Sequence, residues 1–185
     1  MIRFHAQNLP LEGLKLIDFQ SLGDARGNLT RLFCSTGMLP IWPGAIVQVN
    51  HTQTTARGAV RGLHFQHPPH AERKLVTCLR GEVWDVAVDL RADSPTFLQW
   101  HAQTLSAANR RALLIPEGFA HGFQTRTSDV EMLYFHSAAF TPEAEGGLSP
   151  TDPKLGIPWP EPVSLISERD QTHPKLDKDF KGLTP

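Results

Sequence analysis

The stretch RGLHFQHPPHAERKL, residues 61–75, sets His64, His67 and His70 at intervals of three, between Arg61 and Lys74. Imidazoles this close in sequence suggest either a metal site or a proton-transfer site. A metal needs ligands that converge on one point, and on a strand the residues sharing a face are i and i+2. The spacing here is HxxH twice, and the second interval holds Pro68-Pro69. His67 and His70 therefore read as solvated loop residues, the metal reading is weakened, and no bound metal is expected. His64 differs, because it closes the strand-like run RGLH and would face a cavity. A neutral imidazole, with an ordinary pKa of about 6.5, suits a general base near neutral pH. It needs a partner on its second nitrogen, and a buried carboxylate fills that role in hydrolase triads. Spacing does not say which carboxylate.

The elements that must position these groups are short strands. Apolar runs bounded by turn residues predict strands at 45–50, 59–66, 74–79, 82–90, 97–105, 111–116, 121–127 and 130–138. In EVWDVAVDL, Trp84, Val86, Val88 and Leu90 share one side, with Asp85 and Asp89 on the other. Arg80-Gly81, between two strand runs, reads as a hairpin turn. No segment keeps helical periodicity over three turns. Many short strands at this spacing predict an all-β sandwich or barrel. After Phe140 the chain turns rich in Pro and Gly, yet Leu155, Ile157 and Trp159 need burial. That predicts an ordered tail wrapping the domain.

The whole chain sets limits. At 185 residues it suits one domain with a substantial core. A formal net charge of −1 gives no large electrostatic attraction to nucleic acid or anionic membrane. No apolar run approaches the roughly 20 residues of a membrane span. The N-terminus lacks the charged-then-apolar order of a signal peptide. Cys34 and Cys78 lie in apolar runs without CxxC spacing and read as free thiols in a reducing compartment, so a cytoplasmic protein is expected.

Several long motifs in order carry a family resemblance: GAVRGLHFQ, KLVTCLRGEVWDVAVDLRADSPTF, LSAANRRALLIPEGFAHGF and DPKLGIPWP. Together they resemble dTDP-4-dehydrorhamnose 3,5-epimerases and related nucleotide-sugar epimerases, from about Gly44 to Asp170. The resemblance implies a cupin-type jelly-roll barrel with short peripheral helices. It divides the single domain into N-terminal strands and arm (1–43), barrel core (44–140) and wrapping tail (141–185). It implies a homodimer that exchanges strands, a nucleotide-sugar substrate and no metal. Residue by residue, it makes His64 the base, Asp170 the carboxylate that orients it, Lys74 the lysine near the sugar carbonyl and Tyr134 the acid. His121 falls in the site wall, and Arg61 and Gln48 match residues that hold the pyrophosphate. Asn50, Arg26, Leu29, Phe140, Glu145 and Arg169 are also implied to bind substrate.

Inverting a carbon beside a ketone needs these types. Loss of the α-proton gives an enolate, so a base is needed on one face and an acid on the other. A cation near the carbonyl oxygen stabilises the developing charge. No redox cofactor is required, and no GxGxxG or GxxxxGK motif occurs. Alternatives within this reading are a single-centre 3-epimerase or ketoisomerase on a different nucleotide sugar. A non-catalytic cupin that binds a sugar nucleotide or metal is the alternative outside it. The chain departs from the family where the nucleoside would bind. DARGNLTRLF puts Asn28 and Leu29 where aromatics are common and Arg31 near the usual glutamate; YFHSAAF puts Ala138, Ala139 and Phe140 where a tyrosine pair is common.

Overall fold

The computed structural model describes residues 4–185. Its strands are β1 (Phe4–Asn8), β2 (Lys15–Phe19), β3 (Ser21–Asp24), β4 (Gly27–Thr30), β5 (Gln48–Thr54), β6 (Ala59–Gln66) and β7 (Lys74–Arg80). They continue with β8 (Glu82–Asp89), β9 (Trp100–Ser106), β10 (Arg111–Ile115), β11 (Phe119–Thr125), β12 (Val130–His136), β13 (Glu145–Gly147) and β14 (Leu165–Ile166). Two short helices, α1 (Ser35–Met38) and α2 (Glu168–Thr172), flank them. The molecule is a two-sheet β structure, as the strand pattern predicts, and a jelly roll, as the family resemblance implies. One six-stranded sheet runs β1-β2-β10-β7-β12-β5, and a second runs β13-β6-β11-β8-β9 with β14 alongside β6.

Strand alternation makes three apolar layers. Between the sheets lie Val76, Cys78, Val83, Ala87, Leu113, Phe123, Met132 and their neighbours. The opposite face of the first sheet, with Leu75 and Phe135, is covered by Met38 and Trp42. The opposite face of the second, with Leu63, Phe65, Val86 and Val88, is covered by Leu148, Leu155, Ile157, Leu176 and Leu183 of the tail, with Trp159 packed against them. Along β12 this alternation sends Phe135 outward, so Tyr134 and His136 face the space between the sheets. Along β6 it sends Leu63 and Phe65 outward and His64 inward.

One turn and two strand bounds differ from the sequence reading. Arg80-Gly81 is not a hairpin, because β7 pairs with β10 and β12 while β8 pairs with β11 and β9. The chain crosses between sheets there, and Gly81 takes a positive φ of 76° that permits the sharp corner. Asp85 and Asp89, on the polar side of β8, are both fully buried, because that side faces the interior. The strand read at 45–50 is shifted to 48–54, and that read at 97–105 starts at Trp100.

Candidate active site

At one end of the space between the sheets is a cavity of ≈ 180 Å³. His64 and His121 reach it from the second sheet, and Lys74, Tyr134, His136 and Asn50 from the first. Arg61 and Arg169 complete the wall. A ligand here lies between groups on two opposed sheets.

His64 is held by the C-terminal tail. Ser167 caps α2, its hydroxyl accepting from the Asp170 backbone N–H, and this seats the Asp170 carboxylate against β6. Asp170 Oδ1 lies 2.8 Å from His64 Nε2, and Oδ2 accepts from the Gly62 N–H at 3.0 Å. Burial opposes ionisation of Asp170, but the His64 and Gly62 hydrogen bonds outweigh it and hold its pKa at about 2. The carboxylate is therefore an acceptor, Nε2 carries the proton, and Nδ1 keeps the lone pair a base needs. Arg169 Nη2 lies 3.0 Å from the same Nε2. A nitrogen that donates to Asp170 cannot also accept, so this contact acts through charge alone. Burial lowers the His64 pKa and keeps the ring neutral; Asp170 opposes this, and Arg169 and Lys74 add to it. Because the neutral form is the base, the acid limb of kcat/KM is expected to be centred below the ordinary imidazole value of about 6.5. An acid limb at or above that value would contradict the assignment.

Gly62 matters for a second reason. A Cβ at Gly62 would meet Gly122 Cα at 2.6 Å, and one at Gly122 would meet Arg61 O at 2.6 Å. The β6–β11 crossing, where the register shifts between His121 and Phe123, therefore needs both glycines, and it brings His121 opposite His64.

Three more carboxylate contacts surround the cavity. His121 Nε2 lies 3.0 Å from Asp85 Oδ2, and burial pushes the Asp85 carboxyl up against the lowering effect of His121. Lys74 Nζ lies 3.1 Å from Glu72 Oε1 and donates to the His64 carbonyl at 3.3 Å. His136 Nδ1 lies 2.7 Å from Glu72 Oε2. Burial would raise the Glu72 pKa, but His136 and Lys74 overcome it and lower it. Tyr134 is set between His121 and His136, with ring centroids 6.0 and 6.2 Å away. Burial pushes its phenol well above the ordinary tyrosine value, so the group stays protonated.

The remaining predicted residues divide. Asn50 lines the cavity. Gln48 stands one step outside it: its Nε2 donates to Asn50 Oδ1 at 3.2 Å and its Oε1 accepts from the Phe140 N–H at 2.9 Å. Glu145 stands behind Arg169, 3.1 Å from its Nη1. Arg26 and Leu29 are not brought to this cavity. They sit on the projecting β3–β4 hairpin, where Arg26 pairs with Asp24 and Leu29 is 58 % exposed. His67 and His70 are exposed loop residues; His67 packs on Phe65 and His70 lies near Thr141. Sequence reasoning missed Asp85, Glu72, His136 and His173. His136 lies two residues beyond Tyr134 on one strand, and that spacing is the signal that could have found it.

Among the described residues, one group could hold a metal ion: ligand atoms of His64, Asp170 and His173 lie within 4.8 Å of one another. The donor types suit zinc. The Arg169 guanidinium beside them is a cation already in place, and it opposes a second one. The groups fit a dyad better than a metal centre.

A jelly roll with a tautomer-fixed histidine, a buried lysine and a protonated tyrosine around one cavity defines a cupin-fold acid/base enzyme. The comparisons with known proteins narrow this class. The family model for dTDP-4-dehydrorhamnose 3,5-epimerase matches residues 8–178, so the chain belongs to that family. A curated relative of that name from Sinorhizobium fredii is 40% identical over 172 residues, covering 92% of this chain and 88% of the relative. A crystal structure of dTDP-4-dehydrorhamnose 3,5-epimerase from Bacillus anthracis, with TDP and PPi bound, superposes with a TM-score of 0.90 at 36% identity, covering 94% of this chain and 99% of that one. The 3,5-epimerase from Legionella pneumophila, in complex with dTDP-4-keto-L-rhamnose, gives 0.89 at 35% identity, covering 94% and 93%. No described helix is long and apolar enough to cross a membrane.

Proposed function

We propose that this epimerase inverts C3 and C5 of a dTDP-linked 4-keto-6-deoxyhexose, with His64 as base and Tyr134 as acid. The observation that carries the reading is the placement of these two groups on opposed sheets around one cavity. A sugar ring between them meets His64 on one face and Tyr134 on the other. His64 Nδ1 removes the proton next to the ketone, and the electrons move onto the carbonyl oxygen. The Lys74 ammonium stabilises that charge. Tyr134 returns a proton to the carbon from the opposite face, which inverts the centre. Even a phenol made less acidic by burial can protonate a far more basic enolate carbon. Asp170 does not take the proton; it holds the imidazole and stabilises the imidazolium. Arg61, an exposed residue of the cavity lining near Tyr134, is the cation that would meet the diphosphate.

The partner is a second copy of the chain. β5 is a free edge of its sheet, with Val47 54 % and Val49 52 % exposed, and Leu22 and Leu29 stand out on the β3–β4 hairpin. Open apolar edges of this kind call for a cover. Arg26 and Leu29 would then act in the neighbouring site. Light scattering that gives the mass of one chain would contradict this.

A second reading, a nucleotide other than dTDP, is favoured by one observation. Leu29 and Asn28 replace the common aromatics, and Phe140, 49 % exposed and bonded through its N–H to Gln48, is the aromatic that would stack on a base instead. Stacking is worth roughly 1–3 kcal/mol per base. The test is turnover of dTDP-, UDP-, CDP- and GDP-linked 4-keto-6-deoxyglucose. The dTDP sugar is expected to show the highest kcat/KM; a clear preference for another base would establish the second reading.

A further inference from the structure

We propose that Glu72 and His136 form a positioning pair for Lys74, holding its ammonium as a paired, oriented cation against the substrate carbonyl. The inference rests on the reading of Lys74 given above. It concerns two residues to which the acid/base chemistry assigns no role.

The geometry is a chain of contacts. The Lys74 and Glu72 side chains are only 9 % and 8 % exposed, and their charged atoms lie 3.1 Å apart. An ammonium withdrawn from water is costly unless a counter-charge is close. Glu72 provides that charge. Its other oxygen lies 2.7 Å from His136 Nδ1, and the His136 side chain is itself 8 % exposed. A carboxylate held on both oxygens cannot rotate, so the direction of Lys74 is set. A second Lys74 proton goes to the His64 carbonyl. An ammonium has three protons, so one remains for the cavity. His136 is fixed in turn: its ring stacks on Tyr134, with 20° between planes, and Asn50 Nδ2 lies 3.4 Å from its Nε2. The pair thus ties the oxyanion-stabilising cation to the strand that carries the acid.

The two ends come from separate places. Glu72 lies in the segment before β7, and His136 ends β12, whose register sets His136 directly opposite Lys74. One carboxylate therefore serves two side chains on paired strands. Orientation matters because stabilisation of a developing charge falls steeply when the donor is misplaced. Without the pair, the ammonium would be present but free to swing away from the oxygen.

Glu72→Gln keeps the shape and removes the charge. It is expected to lower kcat roughly 10- to 100-fold, less than the roughly 10²–10³-fold for outright loss of a stabilising donor because the ammonium stays but is no longer held, with KM within a few-fold of wild type. His136→Asn keeps a donor near the Nδ1 position and is expected to retain most of kcat, whereas His136→Leu loses about 10-fold. Because the pair acts through Lys74, adding Glu72→Gln to Lys74→Met should cost nothing further in deuterium exchange. The proposal is overturned if Glu72→Gln turns over at the wild-type rate, or if it lowers exchange by the same factor with and without Lys74. If Lys74→Met itself keeps wild-type kcat, the role given to Lys74 fails instead. Circular dichroism and melting temperature on each variant separate these outcomes from misfolding.

Discussion

His64→Ala is expected to lower turnover by about 10²–10⁴-fold, the usual contribution of a positioned general base, and to abolish solvent exchange at the carbon next to the ketone. The protein should remain folded. The imidazole is a partly buried wall of a cavity, and its loss leaves Leu63 and Phe65, which anchor the tail on the outer face, in place. Asp170→Asn is expected to come close to the same loss by a different route. An asparagine can present its amide N–H to His64 Nε2, which then carries the lone pair while Nδ1 is protonated and useless as a base. The amide oxygen is then left facing the Gly62 N–H and can accept from it as the carboxylate does, so the β6–β11 pairing is kept. A folded His64→Ala protein that turns over normally would remove the base assignment altogether.

Tyr134→Phe should separate two events that His64→Ala abolishes together. The hydroxyl is lost but the ring remains, and with it the packing against His121 and His136. His64 can still form the enolate, and a deuteron can still return from the His64 side. Deuterium is therefore expected to wash into the substrate while the inverted product falls by about 10²–10⁴-fold, the range for loss of a positioned acid. Equal loss of exchange and inversion would mean that Tyr134 does not act as the acid of an otherwise working site.

Much of the architecture is legible in the sequence because period-2 alternation and turn residues report strands directly. β6, β7, β8 and β12 stand close to where the apolar runs put them. Alternation does not say which strands pair, and that is why Arg80-Gly81 resembles a hairpin yet joins two sheets. It also does not say which side of a strand faces the interior. Asp85 and Asp89 lie opposite the apolar side of β8, but β8 is covered on both sides, and Asp85 becomes the partner of His121.

The site shows the same limit. His64 stands out as a residue type suited to proton transfer, and the family resemblance adds Lys74, Tyr134 and Asp170, but the partners that make His64 work are remote in sequence. Asp170 lies on a five-residue helix in the tail, more than 100 residues from His64, and no spacing rule reaches that far. Glu72 is concealed by proximity: beside Arg73 and Lys74 it reads as one more surface charge, and only the fold shows it buried between Lys74 and His136. Arg26 and Leu29 illustrate the reverse case, since a motif match names them while one copy of the chain leaves them on an exposed hairpin.

The most direct test of the account is to incubate the protein with dTDP-4-keto-6-deoxyglucose in deuterated water and locate the label. Deuterium at both C3 and C5, with both centres inverted in the product, is the predicted result for the wild type, with none at either position for His64→Ala. No label at C3 or C5 on conversion, or label undiminished in His64→Ala, would contradict proton abstraction by His64 between the two sheets.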